Sequence, residues 1–460
     1  MNSDLPKAAH RILGKPLVRW VVDAAREGGA EQVVTVVGHC AGVVGALVPD
    51  TTHALQAEQL GTGHAVMCAL EATGDLTGPV VVLAGDVPLI RPETIARLIS
   101  SQVTSGAACV LLSAVFPDPT GYGRIARDEA GAVTAIVEHR DLADDMLQIA
   151  EGNVGIYCFD GAALSTHLHR LEASNSQAEY YLTDLVALFV AEGLGVEAIV
   201  TDDIDESHGV NSRVQLAEVT KIMQRRINER HLLAGVTMTD PDLVWIGPDV
   251  TVGRDSELLP MTFLFGETRI GEGTILGPNT RVADSVVGDG AVVDSSILVQ
   301  AQVGAGASVG PVAYLRPGAV LGERAKAGTC VEIKNSTLGE GSKVPHLSYI
   351  GDATIGVGAN VGAGSITCNY DGFSKHRTVI EDGAFIGSDT MLVAPVTIGA
   401  GAVTAAASAI TKDVPPEALA IERCEQREIA GWAQRRRAQG STDQTAPAPS
   451  PGEHRAEGDQ

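Results

Sequence analysis

In a chain of 460 residues with a formal net charge of −24, a cluster of basic side chains stands out against its background. Arg316 (in RPGA, 316–319), Lys334 (in VEIK, 331–334) and the pair Lys375 and Arg377 form such a set, and their chemistry suits a sugar phosphate. His346 (in HLSY, 346–349) lies among them, with His376 the only other histidine nearby. A nucleophile such as an amine must lose a proton as it attacks, and an imidazole titrating near neutrality can take it. A surface histidine is the plain alternative. NVGAGS (360–365) and CNYDG (368–372) extend the polar series. In the first half, Asp86 closes an apolar run in AGDVPLI (84–90). That is the carboxyl edge where open α/β sheets bind ligands, and a carboxylate there can hold Mg²⁺ between phosphate oxygens. An aspartate that merely ends a strand would look the same. QAEQLGTG (56–63) runs into an apolar helical segment. Amides at such a junction can hold a phosphate or a base edge, or simply cap a helix.

The elements that carry these residues follow from a period of six. Aliphatic residues recur at Ile246, Val252, Leu258, Leu264, Ile270, Leu276 and Val282, then at Ile297, Val303, Val309, Leu315 and Leu321, and again at Ile380, Ile386, Leu392 and Ile398. Two shorter steps, through Val287 and Val292, lead to Ile297. Neither an α-helix nor a half-buried strand has this period, but a solenoid of very short strands does. Three units make one triangular turn, and turns stack at the strand spacing of about 4.8 Å. Each turn buries its aliphatic residues against its neighbours, so none is stable alone. Gly247, Gly253, Gly271, Gly277, Gly304 and Gly310 each follow a key position, where a corner asks for unusual backbone angles. The aromatic share of 4% fits a narrow bore. The segment 367–377 (TCNYDGFSKHR) breaks the repeat and is expected to project as a loop.

Residues 1–205 read as alternating α and β, an open sheet of the doubly wound, Rossmann-like type. The runs at 32–38 and 79–86 are continuous and apolar, as parallel strands covered on both faces are. Helical spacing appears over 15–29, ending at a glycine pair, and over 92–101, opening with proline. Residues 206–235 form a linker whose helix, Arg213–Leu233, carries Leu216, Val219, Met223 and Ile227 on one face. The repeat domain spans 236–440, with a final helix at 426–438, and 441–460 is a polar tail expected to be disordered. The acidic surface argues against nucleic acid and anionic membrane as partners. Seven cysteines without CxxC spacing read as free thiols of a reducing cytosol, and no apolar run reaches membrane-spanning length.

The order of the segments SDLPK (3–7), QLGTG (59–63), AGDVPLI, GYGR (121–124), IVEH (136–139), GNVG (152–155), EYYLTD (179–184) and HGVNS (208–212) resembles that of sugar-nucleotide pyrophosphorylases. With the repeat half behind it, the chain to about Arg423 resembles the bifunctional N-acetylglucosamine-1-phosphate uridyltransferase and glucosamine-1-phosphate N-acetyltransferase family. The resemblance implies that the solenoid is a left-handed parallel β-helix. It also implies roles. Lys7, Gln56, Gly61 and Thr62 would contact a uridine nucleotide; Gly123, Glu138 and Asn153 the sugar; Asp86 and Asn211 would hold Mg²⁺, Asn211 beside the nucleotide–sugar site as well. The sugar phosphate would attack the α-phosphorus of UTP in line and release pyrophosphate. In the second half His346 would be the base, Arg316, Lys334, Tyr349 and Asn360 sugar-phosphate contacts, and Ala363, Asn369, Tyr370, Ser388, Ala406 and Arg423 acetyl-CoA contacts, with Glu332 orienting the base or the amine. The family further implies a cytoplasmic homotrimer joined through the β-helix, with small molecules as its other partners, making UDP-N-acetylglucosamine for cell-wall precursors. One departure bears on this. Family members have a first strand and a glycine-rich loop ending in Gly-Thr-Arg-Met ahead of SDLPK, whereas here Met1 stands two residues before Ser3. Either the start of the sequence is placed late or the chain is an acetyltransferase whose first domain is inactive in uridylyl transfer. A sheet without that strand is expected to have a gap near its centre.

Overall fold

The computed structural model describes residues 1–443, apart from Asp75; the expectation of a disordered tail falls, from residue 444 on, outside the described residues. In the first half, the helix Leu17–Glu27 buries Leu17, Val18, Val21 and Val22 along one face. It ends at Gly28, where a Cβ would stand 2.8 Å from the Ile95 side chain of the neighbouring helix, Pro92–Ser105, and the chain turns away at Gly29 with φ 105°. The main sheet has six strands, in the order Val196–Val200, Cys109–Val115, Glu151–Asp160, Arg124–Arg127 and Val133–Val137, with Pro79–Val82 on Glu151–Asp160 as well. A separate two-stranded sheet pairs Val34–Val37 in parallel with Thr52–Leu55.

The apolar runs at 32–38 and 79–86 therefore differ in detail from expectation. The first is a parallel strand. The second is shorter than expected, and its ladder, to Glu151–Asp160, is antiparallel. An apolar run shows that a strand is covered, but it carries no information on the direction of its neighbour. Val34–Val36 and Val80–Val82 are half-buried rather than buried. The pair Val34–Val37 and Thr52–Leu55 shares no ladder with the main sheet.

From Thr237 to Ala420 the chain forms a left-handed parallel β-helix of three sheets, with eleven, ten and nine strands. All ladders between turns are parallel, as in Leu258 to Leu276 and Leu315 to Ile333. The periodic positions point inward: Ile246, Leu258, Leu264, Leu276, Leu315, Ile386, Leu392 and Ile398 are all fully buried. The short steps are the exception. Val292 and Ile297 face outward, while Val293 and Leu298 are buried. In Val-Val and Ile-Leu pairs either residue could be the inward one, and only the neighbouring turns decide, through the ladders Leu276 to Val293 and Val282 to Leu298. The corner glycines also have a different reason. Gly277 does take a positive φ, 108°. At Gly253, by contrast, the constraint is space, since a Cβ would meet the backbone of Gly271 and Glu272 on the next turn at 2.6 Å.

The helix Arg213–Leu233 begins with a capping box, in which Ser212 accepts from the Gln215 amide and the Gln215 side chain accepts from the Ser212 amide. It closes the first turn of the solenoid. Gln224 Nε2 and Asn228 Nδ2 donate to the Val244 carbonyl at 2.6 and 2.9 Å, while Val219, Met223 and Ile227 join the solenoid core. A stacked solenoid needs such an end cap, because its first turn has no turn below it. The last helix runs over Trp432–Asp443, later than expected. Among the described residues no helix is long and apolar enough to cross a membrane, and all seven cysteines are free.

Candidate active sites

In the first half the expected residues fall into three groups. Lys7 Nζ donates to Asp86 Oδ2 at 2.6 Å and to Asn211 Oδ1 at 2.8 Å. Asp86 is held in place by its carbonyl, which accepts from the Val210 amide at 2.9 Å, so the turn after Pro79–Val82 and the segment before Ser212 are tied together. The lysine ammonium thus sits where a cation is shared between one carboxylate and one amide oxygen. That donor set suits Mg²⁺, which takes one or two protein oxygens and completes its shell with water and phosphate. Among the described residues no group of three His, Cys, Asp or Glu gathers as an alternative metal site. An open cleft of about 480 Å³ beside Lys7 is lined by residues 1–7 and His39.

The second group is the loop around Gly61. Gln56 Nε2 donates to the Gly61 carbonyl at 3.0 Å. Gly61 has φ 106°, and a Cβ on it would meet the Tyr180 carbonyl at 2.7 Å. The loop is docked on EYYLTD: the Tyr180 amide donates to Leu60, the Gly63 amide to Tyr180, and the Leu182 amide to Thr62 Oγ1 at 3.1 Å. No side chain caps the helix Thr62–Thr73, whose first amides begin just after this loop. The third group holds Gly123, Glu138 and Asn153. The Asn153 amide donates to the Gly123 carbonyl at 2.9 Å, and Asn153 Nδ2 donates to the Tyr157 hydroxyl at 2.7 Å. Burial pushes the Glu138 carboxyl up, a shift that Thr183, donating its hydroxyl at 3.1 Å, opposes and the charges of Asp184 and Asp141 reinforce.

In the solenoid, the strand ladders place the second set of residues. His346, Ala363, Ser388 and Ala406 each lie two residues beyond an inward-facing side chain (Val344, Val361, Ile386 and Thr404) on four successive turns of one sheet. They form a row along one edge of the prism. Arg423 Nη1 donates to the Ala406 carbonyl at 3.1 Å at the end of that row. His346 is exposed at the end of the strand Lys343–His346, and among the described residues its ring makes no hydrogen bond. The chain turns the corner at Leu347 and enters the next sheet at Tyr349, directly above Glu332 and Tyr314.

Arg316, Lys334 and Tyr349 sit on that second face. Arg316 Nη1 donates to Glu332 Oε1 at 2.7 Å, which also raises the guanidinium pKa. Glu332 is thus engaged by Arg316, and among the described residues it makes no hydrogen bond to His346, from which a corner of the prism separates it. The Lys375 side chain beside it, and then burial, push the Lys334 ammonium down, while Asp352, 3.8 Å away, works the other way. Two adjacent lysines that share one carboxylate, Asp352, keep a net positive charge and suit a phosphate. Asn360, in contrast, pairs with Lys343 on the face that carries His346.

The segment after Thr367 does project. Asp371 organises it, accepting from the Phe373 and Ser374 amides at 2.8 and 2.6 Å and from His376 Nε2 at 2.7 Å, contacts that hold its carboxyl far below the usual range. Tyr370 is exposed on this loop, and Arg377 donates to Thr354 Oγ1 at 2.8 Å instead of joining the lysines. Asn369, at the loop's base, is buried. It is joined through Asp352 to Asn335, two residues that no sequence motif singles out, although the spacing of one solenoid turn (335, 352, 369) marks them.

Against known proteins, residues 1–150 match the MobA-like NTP transferase domain. The chain is 50% identical over 443 residues to the bifunctional protein GlmU of Streptomyces avermitilis, covering 95% of this chain and 92% of that one. It is 48% identical to the bifunctional protein GlmU of Trichlorobacter lovleyi, with 96% of each chain covered. Similarity to the Streptomyces griseus protein of the same name is 49% over 457 residues, 98% of this chain and 95% of that one.

Proposed function

The chain belongs to the bifunctional GlmU family, and from that premise we propose that its two halves carry two transferase reactions. Residues 236–440 transfer acetyl from acetyl-CoA to the amine of glucosamine 1-phosphate. Residues 1–205 then couple N-acetylglucosamine 1-phosphate to UTP, releasing pyrophosphate, with 206–235 joining the two. The observation that carries the reading is the row His346, Ala363, Ser388 and Ala406 along one prism edge, next to the basic face of Arg316 and Lys334.

In the acetyl transfer, the sugar phosphate is held by Arg316, Lys334, Tyr349 and Asn360. The thioester lies along the edge row of Ala363, Ser388 and Ala406 with Arg423 at its end, and Asn369 and Tyr370, which lie past the strands of another sheet, meet it where solenoids pack against one another. The sugar nitrogen attacks the thioester carbon, the carbon–sulfur bond breaks, and His346 takes the proton the nitrogen sheds and passes it to the departing thiolate. The exposure of His346 leaves its ring free to meet a substrate amine. Leu347 beside it, and Tyr314 and Ile297 on the next face, are exposed apolar groups, which supports packing of solenoids against one another as a homotrimer.

In the uridylyl transfer, Lys7 and the loop Gln56, Gly61 and Thr62 hold the nucleotide, while Gly123, Glu138 and Asn153 hold the sugar. Mg²⁺, bound through Asp86 and Asn211, would neutralise the phosphate oxygens. Lys7, whose ammonium lies between Asp86 and Asn211, would donate to a phosphate oxygen with the metal held by those two residues. A cytoplasmic setting fits the free cysteines.

The test follows thiol release from acetyl-CoA and pyrophosphate release from UTP separately. His346→Ala is expected to lower kcat for acetyl transfer about 10²–10⁴-fold, the range for a lost general base, and to leave pyrophosphate release as it was. Unchanged thiol release would remove His346 from its role. A chain that acetylates but releases no pyrophosphate would restrict the reading to residues 236–440.

A further inference from the structure

Asn335, Asp352 and Asn369 occupy the same corner on three successive turns, each two residues past an inward-facing position (Ile333, Ile350 and Thr367). The Asp352 carboxylate accepts from Asn335 Nδ2 at 2.6 Å through one oxygen and from Asn369 Nδ2 at 2.5 Å through the other. It is buried. A carboxylate offers acceptors only, so it decides which way the Asn369 amide faces. The NH₂ group points to Asp352, and the carbonyl oxygen is turned away from it as an acceptor. Without the carboxylate, the amide could rotate and present either end. Gly351 shows how closely the surroundings are drawn in: a Cβ there would lie 2.7 Å from Asn369 Nδ2 and 2.5 Å from the Tyr349 hydroxyl. Burial opposes the charge of Asp352, but the two amides and the ammonium groups of Lys334 and Lys375 hold its carboxyl below the ordinary range, so it stays an acceptor at neutral pH.

We propose that Asp352 is a positioning residue of the acetyl-transfer site, which fixes the Asn369 amide in the orientation that acetyl-CoA requires. The inference rests on the reading of Asn369 as an acetyl-CoA contact. Asp352 touches no substrate in this account and acts through Asn369. Asn335, the third member of the stack, supplies a comparison, because it loses one bond of the same ladder when replaced and leaves the Asp352–Asn369 bond in place.

Steady-state kinetics of the full chain with acetyl-CoA test this, with melting temperature followed in parallel. Asp352→Ala is expected to raise KM for acetyl-CoA about tenfold, the scale of a hydrogen bond to a charged group, with a smaller change in kcat. The double variant Asp352→Ala with Asn369→Ala should raise KM no further than Asn369→Ala alone, because both act through one contact. Asn335→Ala should lower the melting temperature and leave KM within about twofold. If the alanine variant does not fold, Asp352→Asn, of nearly the same volume, removes the charge and one of the two acceptor oxygens and carries the same test. The proposal falls if Asn369→Ala raises KM while Asp352→Ala does not, if the two effects add, or if Asn335→Ala matches Asp352→Ala in KM. If Asn369→Ala itself leaves KM unchanged, the underlying contact is misassigned and the proposal falls with it.

Discussion

Gly351 shows how much of the proposed acetyl-transfer site depends on one missing methyl. Its φ is ordinary, so the backbone would accept alanine; the obstacle is the Tyr349 hydroxyl and the Asn369 amide, both nearer than a real Cβ permits. Gly351→Ala is expected to cost about 1–3 kcal/mol in stability, as overpacking does, and to lower acetyl transfer about tenfold or more by displacing both side chains. Denaturant unfolding and thiol-release kinetics on the same sample check the two effects. The polar positions of this region were partly legible in the sequence, while their roles remain those proposed above. His346, Lys334 and Asn369 announce themselves as polar breaks in an apolar repeat. The partner of each does not. Glu332 pairs with Arg316 and not with the base, and Asp352 gathers two asparagines, because those pairings run between turns about seventeen residues apart.

At the scale of elements, the helix Arg213–Leu233 agrees with its sequence from end to end, since its cap and its apolar face are both local signals. Its burial has a consequence for acid stability. His231 is packed inside, Nε2 has no hydrogen-bond partner among the described residues, and burial, with the Arg230 charge adding, pushes its pKa down to about 4 from 6.5. The folded state therefore prefers the neutral ring. Above pH 6.5 the ring is neutral whether folded or unfolded, and nothing changes. As pH falls from 6.5 toward 4 the unfolded chain takes up the proton first, and stability drops by about 2–3 kcal/mol. His231→Gln should flatten that part of the profile in melts collected across this range; an unaltered slope would show that other groups govern it. The solenoid strands were legible wherever one aliphatic residue stood alone at its sixth position. Where two stood side by side, as at Val292–Val293 and Ile297–Leu298, the choice belonged to the neighbouring turns.

Across the whole molecule, one buried cluster runs from Ile12 and Leu17 through Val219, Met223 and Ile227 into the solenoid as far as Val414. Trp20, in the first half, and Trp245, on the first solenoid turn beneath Lys221, both pack against it. Met223→Ala should cost about 2–5 kcal/mol, and single-tryptophan variants reporting from Trp20 and from Trp245 should shift their unfolding midpoints together. A shift at Trp245 alone would mean that the halves unfold separately. The sequence by itself determined the α/β half, the six-residue solenoid and the helix between them, because periodicity, caps and turn residues act over a few neighbouring positions. It also marked most of the polar residues of both proposed sites. Tertiary structure alone decided the antiparallel placement of Pro79–Val82, the separate pair Val34–Val37 and Thr52–Leu55, the inward choice in each aliphatic pair and the carboxylate that aligns Asn369. Each of these depends on which distant segment lies alongside, and neither a hydrogen-bond direction nor a shared carboxylate leaves a mark in a local pattern.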